Sequence, residues 1–302
     1  MANRKKKGRD ISGILILDKP LNISSNRAVQ IIKRLYGAKK VGHTGSLDPL
    51  ASGVLPICLG HGTKVSQYLL ASDKTYQFTM RLGQTTETGD VEGNVVLERK
   101  VPDITDSQLL VLLEEFTGDI QQVPPMYSAL KHNGQRLYKL ARSGQVVDRP
   151  ARAVTIKSLV LLSKEADSLT LEVCCTKGTY VRTLAEDLGE KLGCGAHVTF
   201  LRRIKTGPFG LEESVTIEQL ESLKGDWLGL DKQLNSLDLA LQEYPEVSCS
   251  AEDVSNLCFG RQVQMNELDQ HSLIRLNDTN GVIFGLGKWC EGNYLAPVRI
   301  FA

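Results

Sequence analysis

The sequence predicts a mixed α+β fold with a mostly antiparallel sheet, followed by a small β-rich domain at the C-terminus. Three observations support this prediction. Strand-like segments outnumber helical ones, and hairpins alternate with helices, which favours an antiparallel sheet over a doubly wound one. The 302 residues are more than one hydrophobic core usually organises. From about residue 246 the chain changes to short strands, which are typical of a small β module.

The amino-terminal region predicts a strand, a turn and a helix in that order. Residues 12–18 form an apolar run that ends at Lys19-Pro20, because proline cannot continue a strand ladder. Ser25 is the predicted cap of the helix that follows, and Gly37 is its predicted end.

Residues 41–53 contain three glycines and a proline without helical or strand periodicity, so they predict a loop before the apolar stretch 54–59. Later apolar patterns predict helices at 63–70, after a cap at Asp106, and at 180–192. Strands are predicted at 75–82, 94–98, 153–162, 169–176 and 197–204.

Two segments depart from this pattern. Residues 121–150 form a long polar stretch inside a compact domain, and such a stretch is usually functional or mobile. The C-terminal module predicts a capped helix at 250–258 and three short strands near Leu273, Val282 and Leu295.

Charge is distributed unevenly along the chain. Residues 1–152 carry 22 lysines and arginines against 14 acidic residues, a net charge of +8, whereas residues 153–245 and 246–302 carry −4 and −3. The basic half favours a polyanionic partner. Seven cysteines without a Cys-x-x-Cys pair predict free thiols in a reducing compartment, hence the cytoplasm. No apolar run is long enough to cross a membrane, and the basic start lacks an apolar signal region.

Familiar catalytic motifs are absent. Residues 60–64 have the wrong spacing for a phosphate-binding loop, and neither a zinc-protease nor a hydrolase motif occurs. Nothing requires a metal or another cofactor. Asp48, fixed before a proline in the glycine-rich loop, could be a nucleophile, although an Asp-Pro pair taken alone more often only forms a turn. His43 taken alone is more often structural than functional.

Five ordered stretches together resemble the TruB family of tRNA pseudouridine synthases over nearly the whole chain. Ser46 stands where the family more often has threonine, and this change keeps the hydroxyl. The stretches are Lys19-Pro20, 42–56 (GHTGSLDPLASGVLP), 74–76 with 82–90, 122–131 with 134–138, and 177–184 with Ala196-His197 and 201–203.

The resemblance implies an enzyme that detaches uracil from ribose C1′, turns it and rejoins it through C5 at uridine 55 of the tRNA T-loop. It implies Asp48 as the nucleophile, Arg182 as its ion-pair partner and Tyr76 as the ring that stacks on the base. A guanidinium beside a carboxylate favours its ionised form and fixes its orientation. Asp90 is expected to hold Arg182.

Further binding positions are implied by the same resemblance. Tyr180 and Leu201 match pocket walls, and His43 matches the ring that fills the gap left by the extruded uridine. We interpret Lys19, Lys64 and the basic insertion as phosphate contacts. Pro20, next to Lys19, is expected at the same binding surface.

The implied organisation is a basic tail (1–10), a catalytic domain (11–245) with an RNA-clamping insertion (121–152), and a PUA-like domain (246–302). The expected partner is tRNA, bound at the T-arm and, through the C-terminal domain, at the acceptor end. We expect a cytoplasmic monomer without guide RNA.

Two other functions stay open at this stage. One is an RNA-folding chaperone, which can coexist with catalysis. The other is a guide-RNA-dependent scaffold of the dyskerin kind, against which stand the short basic start and the long insertion.

Overall fold

The computed structural model describes residues 8–265 and 273–301. Within these residues the helices are α1 (Ser25–Leu35), α2 (Gly62–Ala71), α3 (Asp106–Glu115), α4 (Leu137–Arg142), α5 (Val181–Lys191), α6 (Ile217–Ser222), α7 (Trp227–Asp231) and α8 (Ala251–Cys258), with a 3₁₀ turn at Leu239–Leu241. The strands of the first 245 residues are β1 (Gly13–Lys19), β2 (Val41–His43), β3 (Ala51–Leu59), β4 (Lys74–Leu82), β5 (Gln84–Thr86), β6 (Val95–Glu98), β7 (Gly118–Gln122), β8 (Lys131–His132), β9 (Gln135–Arg136), β10 (Arg152–Lys164), β11 (Ser168–Cys175), β12 (Ala196–Thr206) and β13 (Phe209–Gly210). The C-terminal strands are β14 (Glu246–Ser248), β15 (Val263–Gln264), β16 (Ile274–Asn277), β17 (Ile283–Cys290) and β18 (Tyr294–Ile300).

A nine-stranded sheet forms the body of the molecule, in the order β1-β3-β12-β4-β11-β10-β7, with β2 on β3 and β13 on β12. Among its described strand pairs, only β3 and β12 run parallel. The predicted mostly antiparallel α+β fold is therefore confirmed. Apolar side chains of the sheet pack against α1, α3 and α5 to form the main core.

Two predicted helix caps are wrong by one residue. The side chain of Ser24, not Ser25, accepts the backbone N–H of Arg27 and caps α1. Ser25 is buried instead, where its hydroxyl accepts the N–H of Leu47 and donates to the carbonyl of the same residue. Thr105, not Asp106, caps α3 through a capping box with Gln108. Asp106 is the first helical residue, where its negative charge interacts favourably with the positive end of the helix dipole.

The predicted loop 41–53 is shorter in the structure, because its two ends are strands. Residues 41–43 form β2 against the far end of β3, and residues 51–53 pair with β12. The irregular part is reduced to residues 44–50, which contain Asp48. Local periodicity could not show this, because both pairings involve partners distant in sequence.

The polar stretch at 121–150 is anchored at both ends. Gln121 and Gln122 belong to β7, which pairs with the beginning of β10 at Ala153 and Arg152. The intervening chain forms a two-residue hairpin ladder and helix α4. Its base is therefore fixed by adjacent antiparallel strands of the main sheet.

The C-terminal residues form a second, five-stranded sheet in the order β14-β16-β17-β18-β15. The predicted helix is α8, capped by Ser250, and the three predicted strands are β16, β17 and β18. Leu286 and Phe301 pack in the same buried cluster as Ile14 and Ile16 of β1. The two sheets thus share apolar packing.

Part of the predicted basic tail is packed against the protein. Residues 1–7 lie outside the described residues. Arg9 pairs with Asp231 at 2.6 Å, and its guanidinium lies 4.4 Å from the ring centre of Trp227. None of the described helices has both the length and the apolarity to span a bilayer.

Candidate active site

A cavity of about 240 Å³ opens where the loop 44–50 meets the parallel strand pair β3 and β12. Five of its twelve lining residues are site residues predicted from the sequence. It is lined by Ser46, Leu47, Asp48, Ala51, Tyr76, Ser128, Ala129, Thr179, Tyr180, Val181, Arg182 and Leu201. Its volume lies below the roughly 300–1,000 Å³ of sites that hold drug-sized ligands, which suits one heterocyclic base.

Asp48 projects from the loop into this cavity. The backbone carbonyl of Asp48 accepts the N–H of Ala51, and the Pro49 carbonyl accepts the N–H of Asn22, so both ends of the bend are fixed. The side chain of Asp48 is 43% exposed, so an incoming molecule can reach its carboxylate. The chain conformation therefore presents a carboxylate to the cavity without burying it.

Arg182, in the first turn of α5, joins two carboxylates. Its Nη2 lies 2.8 Å from Oδ2 of Asp48, and its Nη1 lies 3.2 Å from Oδ2 of Asp90. The guanidinium also donates to the carbonyls of Thr88 and Tyr127, both at 2.8 Å. Four acceptors hold a buried cation in one orientation, which in turn orients Asp48.

Asp90 anchors this network from inside the protein. Its side chain is only 3% exposed, and its Oδ1 accepts the hydroxyl of Thr88 at 2.6 Å and the backbone N–H of Glu92 at 3.0 Å. The structure thus places Asp90 against Nη1 of Arg182, whereas Asp48 lies against Nη2.

Tyr76 and Leu201 line the same cavity from neighbouring strands β4 and β12. Tyr180 lines it just before α5, where its backbone is held by Gln122. The Gln122 amide donates to the Tyr180 carbonyl at 3.1 Å and accepts the Tyr180 N–H at 2.7 Å. This two-point contact fastens the base of the insertion to the cavity wall.

A second cavity of about 340 Å³ continues from the first towards the insertion. The two share Ser46, Leu47, Asp48, Ser128, Ala129 and Arg182. Arg136, Tyr138 and Arg142 of the insertion line the second cavity. The basic insertion therefore lines the same opening as Asp48.

Four predicted binding residues, Lys19, Pro20, His43 and Lys64, lie outside both cavities. His43 is half-buried in β2, and burial, followed by the charge of Arg203, lowers its pKa, which favours a neutral ring at pH 7. Lys64 of α2 donates to the carbonyl of Ile300, so it lies against the C-terminal sheet. Pro20 contributes its carbonyl to the neighbouring Lys19.

Lys19 is not placed where a phosphate can reach it, contrary to the prediction. The residue is fully buried, and its Nζ donates to the carbonyls of Pro20 and Ile23, each at 2.8 Å. Burial lowers the pKa of Lys19 to about 8, and the nearby Asp48 partly opposes this shift. The ammonium fixes the turn after β1 instead.

Residues that sequence reasoning did not assign also shape the site. Ser128 is buried and lines both cavities. Gln122 and Arg203 are buried and contact the cavity-lining segments. Gln122 and Arg203 lie within the stretches that resemble the family, but only the pairing of their strands shows which residues their side chains contact.

The arrangement can perform nucleophilic chemistry on a flat ring. It combines an accessible carboxylate, a fixed cation beside it, an aromatic ring and an aliphatic wall in a cavity of the size of one base. The described residues include no group of three or more His, Cys, Asp or Glu side chains placed to hold a metal ion.

Comparison with known proteins identifies the family. Residues 33–181 match the N-terminal domain of TruB family pseudouridylate synthases, residues 182–242 match the C-terminal domain of tRNA pseudouridylate synthase B, and residues 245–301 match the C-terminal region of pseudouridine synthase II TruB. The chain is 51% identical to a tRNA pseudouridine synthase B of Stutzerimonas stutzeri strain A1501, and 50% identical to that of Pseudomonas aeruginosa strain UCBPP-PA14. Both alignments cover 99% of each protein.

Solved structures share the fold. A chain of an H/ACA RNP bound to a substrate RNA containing 2′-deoxyuridine superposes with a TM-score of 0.75 at 23% identity, covering 100% of this chain and 92% of the other. A chain of a Cbf5-Nop10-Gar1 complex gives a TM-score of 0.73 at 25% identity, covering 96% and 85%. On the three family matches and the full-length relatives at about 50% identity, the chain belongs to the TruB family of pseudouridylate synthases.

Proposed function

We propose that this enzyme converts uridine 55 in the T-loop of tRNA to pseudouridine, with Asp48 as the nucleophile. One observation carries the proposal: the accessible Asp48 carboxylate, paired with the buried Arg182 guanidinium, faces a cavity that suits a single base. The full-length relatives named tRNA pseudouridine synthase B support tRNA as the substrate.

The reaction begins with extrusion of the uridine from its stack, which costs a few kcal/mol. The Tyr76 ring offers a stacking partner worth about 1–3 kcal/mol, and Leu201 and Tyr180 close the remaining walls. The neutral ring of His43 fills the space that the base leaves in the RNA. These contacts retain the uracil while it is detached.

The chemistry is an isomerisation and needs no redox step. The bond between N1 and C1′ breaks with the help of the Asp48 carboxylate, the uracil turns, and C5 bonds to C1′. C5 then loses its proton, and N1 gains one. Arg182 keeps Asp48 oriented, and Asp90 keeps Arg182 in place.

The remaining parts of the chain have supporting roles in this proposal. Residues 11–245 form the catalytic domain, the insertion clamps the T-arm, and residues 246–302 form a PUA-like domain that contacts the acceptor end. A stand-alone cytoplasmic enzyme without guide RNA fits the full-length relatives better than a guide-dependent scaffold does. The chains of the H/ACA RNP and of the Cbf5-Nop10-Gar1 complex share the fold with this chain at only 23–25% identity.

The test is incubation with an unmodified tRNA transcript, followed by mapping of pseudouridine at every uridine. We expect conversion at position 55 alone. The matched control Asp48→Asn should abolish turnover and keep tRNA affinity within several-fold. Normal turnover by this variant would refute the nucleophile assignment, and conversion at another uridine would refute the position.

A second activity, RNA folding, is favoured by the basic residues Arg136 and Arg142, which line the second cavity but not the first. Binding through these residues is independent of isomerisation. The Asp48→Asn variant should therefore still accelerate refolding of a misfolded tRNA. Loss of that acceleration together with turnover would contradict a separate folding role.

A further inference from the structure

A buried arginine, Arg203, lies directly opposite Tyr76 in the sheet. The antiparallel register of β12 and β4 pairs the two residues, so their side chains leave the sheet on the same face. The guanidinium carbon of Arg203 lies 5.9 Å from the centre of the Tyr76 ring. This separation is within the range of a cation–π contact.

Arg203 is held without a carboxylate. It is 1% exposed, its Nε donates to the Val54 carbonyl at 2.7 Å, and its Nη2 donates to the Gly45 carbonyl at 3.3 Å. Among the described residues no acidic group forms an ion pair with it. Guanidinium groups stay protonated in proteins, so Arg203 carries a permanent positive charge that no described carboxylate pairs with.

The sheet accommodates the backbone of Arg203 through a glycine. Gly53 of β3 pairs with Lys19 on one side and with Arg203 on the other. Its φ is +102°, and a Cβ built there would lie 2.1 Å from the Arg203 carbonyl oxygen. The backbone of Arg203 thus packs against a position that only glycine can occupy, which fixes where its side chain starts.

We propose that Arg203 is a positioning residue that holds the Tyr76 ring at the cavity and places a permanent positive charge beside its hydroxyl. The inference rests on the proposed function, in which C5 of the detached uracil loses a proton. When that bond breaks, its electron pair returns to the ring, and the proton passes to the Tyr76 oxygen in its phenolate form. The adjacent guanidinium stabilises that phenolate.

The electrostatics around Tyr76 are consistent with this role. Burial raises the pKa of Tyr76, while the charge of Arg203 and a hydrogen bond from it act in the opposite direction. Cys175 on β11 and Asp48 in the loop also face the phenol and oppose its ionisation. Burial raises the pKa of Cys175 to about 12, so this thiol stays protonated near neutral pH.

Two buried lysines also contribute to the pH dependence, and their effect must be separated from that of Tyr76. Burial lowers the pKa of Lys19 and of Lys74 to about 8, and the charge of Arg203 acts in the same direction on both. A Tyr76→Phe background separates them, because any pH dependence that arises from the lysines persists there.

The experiment is a single-turnover pH profile with tRNA transcript for the intact enzyme, Arg203→Met, Tyr76→Phe and the double variant. In Arg203→Met the rising limb should move about one unit to higher pH, the effect expected of a charge near 6 Å, and the rate at pH 7 should fall about tenfold. In the Tyr76→Phe background the same change should leave the profile in place. Equal effects in both backgrounds would assign Arg203 a merely structural role and overturn the proposal.

Two further variants keep the test decisive. Arg203→Lys retains the charge, so its profile should stay where that of the intact enzyme lies; a displaced limb in this variant also overturns the proposal, even if Arg203→Met fails to fold. Arg202→Gln is the matched control and should leave the profile unchanged. Arg202 pairs with Asp18 at a distance of 2.7 Å, and neither residue lines the cavity. If the intact enzyme makes no pseudouridine, the proposed function fails; if it does and Arg203→Met keeps the unshifted profile, only this inference fails.

Discussion

Replacement of Asp90 by asparagine should destabilise the protein far more than the same replacement of Asp48. Both carboxylates contact Arg182, but the Asp90 side chain is 3% exposed and that of Asp48 is 43% exposed. Removing one partner of a buried pair costs about 3–5 kcal/mol, whereas an exposed pair contributes about 0–1 kcal/mol. Asparagine keeps an acceptor for Thr88 and for the Glu92 N–H, so a cost at the lower end, about 3 kcal/mol, is expected for Asp90→Asn.

Activity should follow the opposite order. Asp48→Asn removes the proposed nucleophile and should abolish turnover at unchanged stability, whereas Asp90→Asn leaves that carboxylate in place and only loosens Arg182. A rate loss of about tenfold to a hundredfold is expected from such misplacement. Urea unfolding followed by circular dichroism, together with single-turnover conversion of tRNA, measures both quantities. Equal destabilisation by the two variants, or full activity of Asp90→Asn, would refute this account of the network.

Three further predictions address the rest of the molecule. Replacing Lys131 and Arg136 together should weaken tRNA binding and reduce its salt slope by about 0.7–0.9 for each phosphate that the protein no longer neutralises; an unchanged slope in filter binding would remove the insertion from the interface. Burial raises the pKa of Glu186 from 4.5 to about 7, so the stability contributed by its neutral form is complete below pH 4.5 and is lost as the pH rises through 7. Glu186→Gln should therefore raise the melting temperature more at pH 8 than at pH 5. The corresponding gain in the free energy of unfolding at pH 8 is about 2 kcal/mol after allowing for partial exposure, and equal shifts in melting temperature at the two pH values would contradict this. Dialysis against EDTA should leave turnover intact, and restoration by added metal would overturn the cofactor-free mechanism.

The sequence was sufficient to predict five of the residues that meet at the cavity. Asp48, Tyr76, Tyr180, Arg182 and Leu201 all line it, as the family motifs imply. Local signals also predicted most helices and strands, because their apolar periodicity and caps lie within a few residues of each other. The contact of Asp90 with Arg182 followed from the motifs in the same way.

Features that depend on strand register could not be predicted. The pairing of Tyr76 with Arg203 joins positions 127 apart in sequence, and no local pattern encodes it. Lys19 was interpreted as an exposed phosphate contact because a lysine is usually solvated, whereas two backbone carbonyls satisfy its ammonium inside the fold. The Ser24 cap was missed because two adjacent serines are equally good candidates in sequence.

The joint burial of Ile14 and Ile16 with Leu286 and Phe301 has a geometric consequence. Strand β1, at the edge of the nine-stranded sheet, cannot shift without moving the C-terminal sheet, because side chains from both pack in one buried cluster. The span from the Asp48 cavity to the outer strand of the second sheet is thus a constant dimension of the folded chain. A molecule that contacts both sheets therefore meets two surfaces whose relative placement is set by this shared packing.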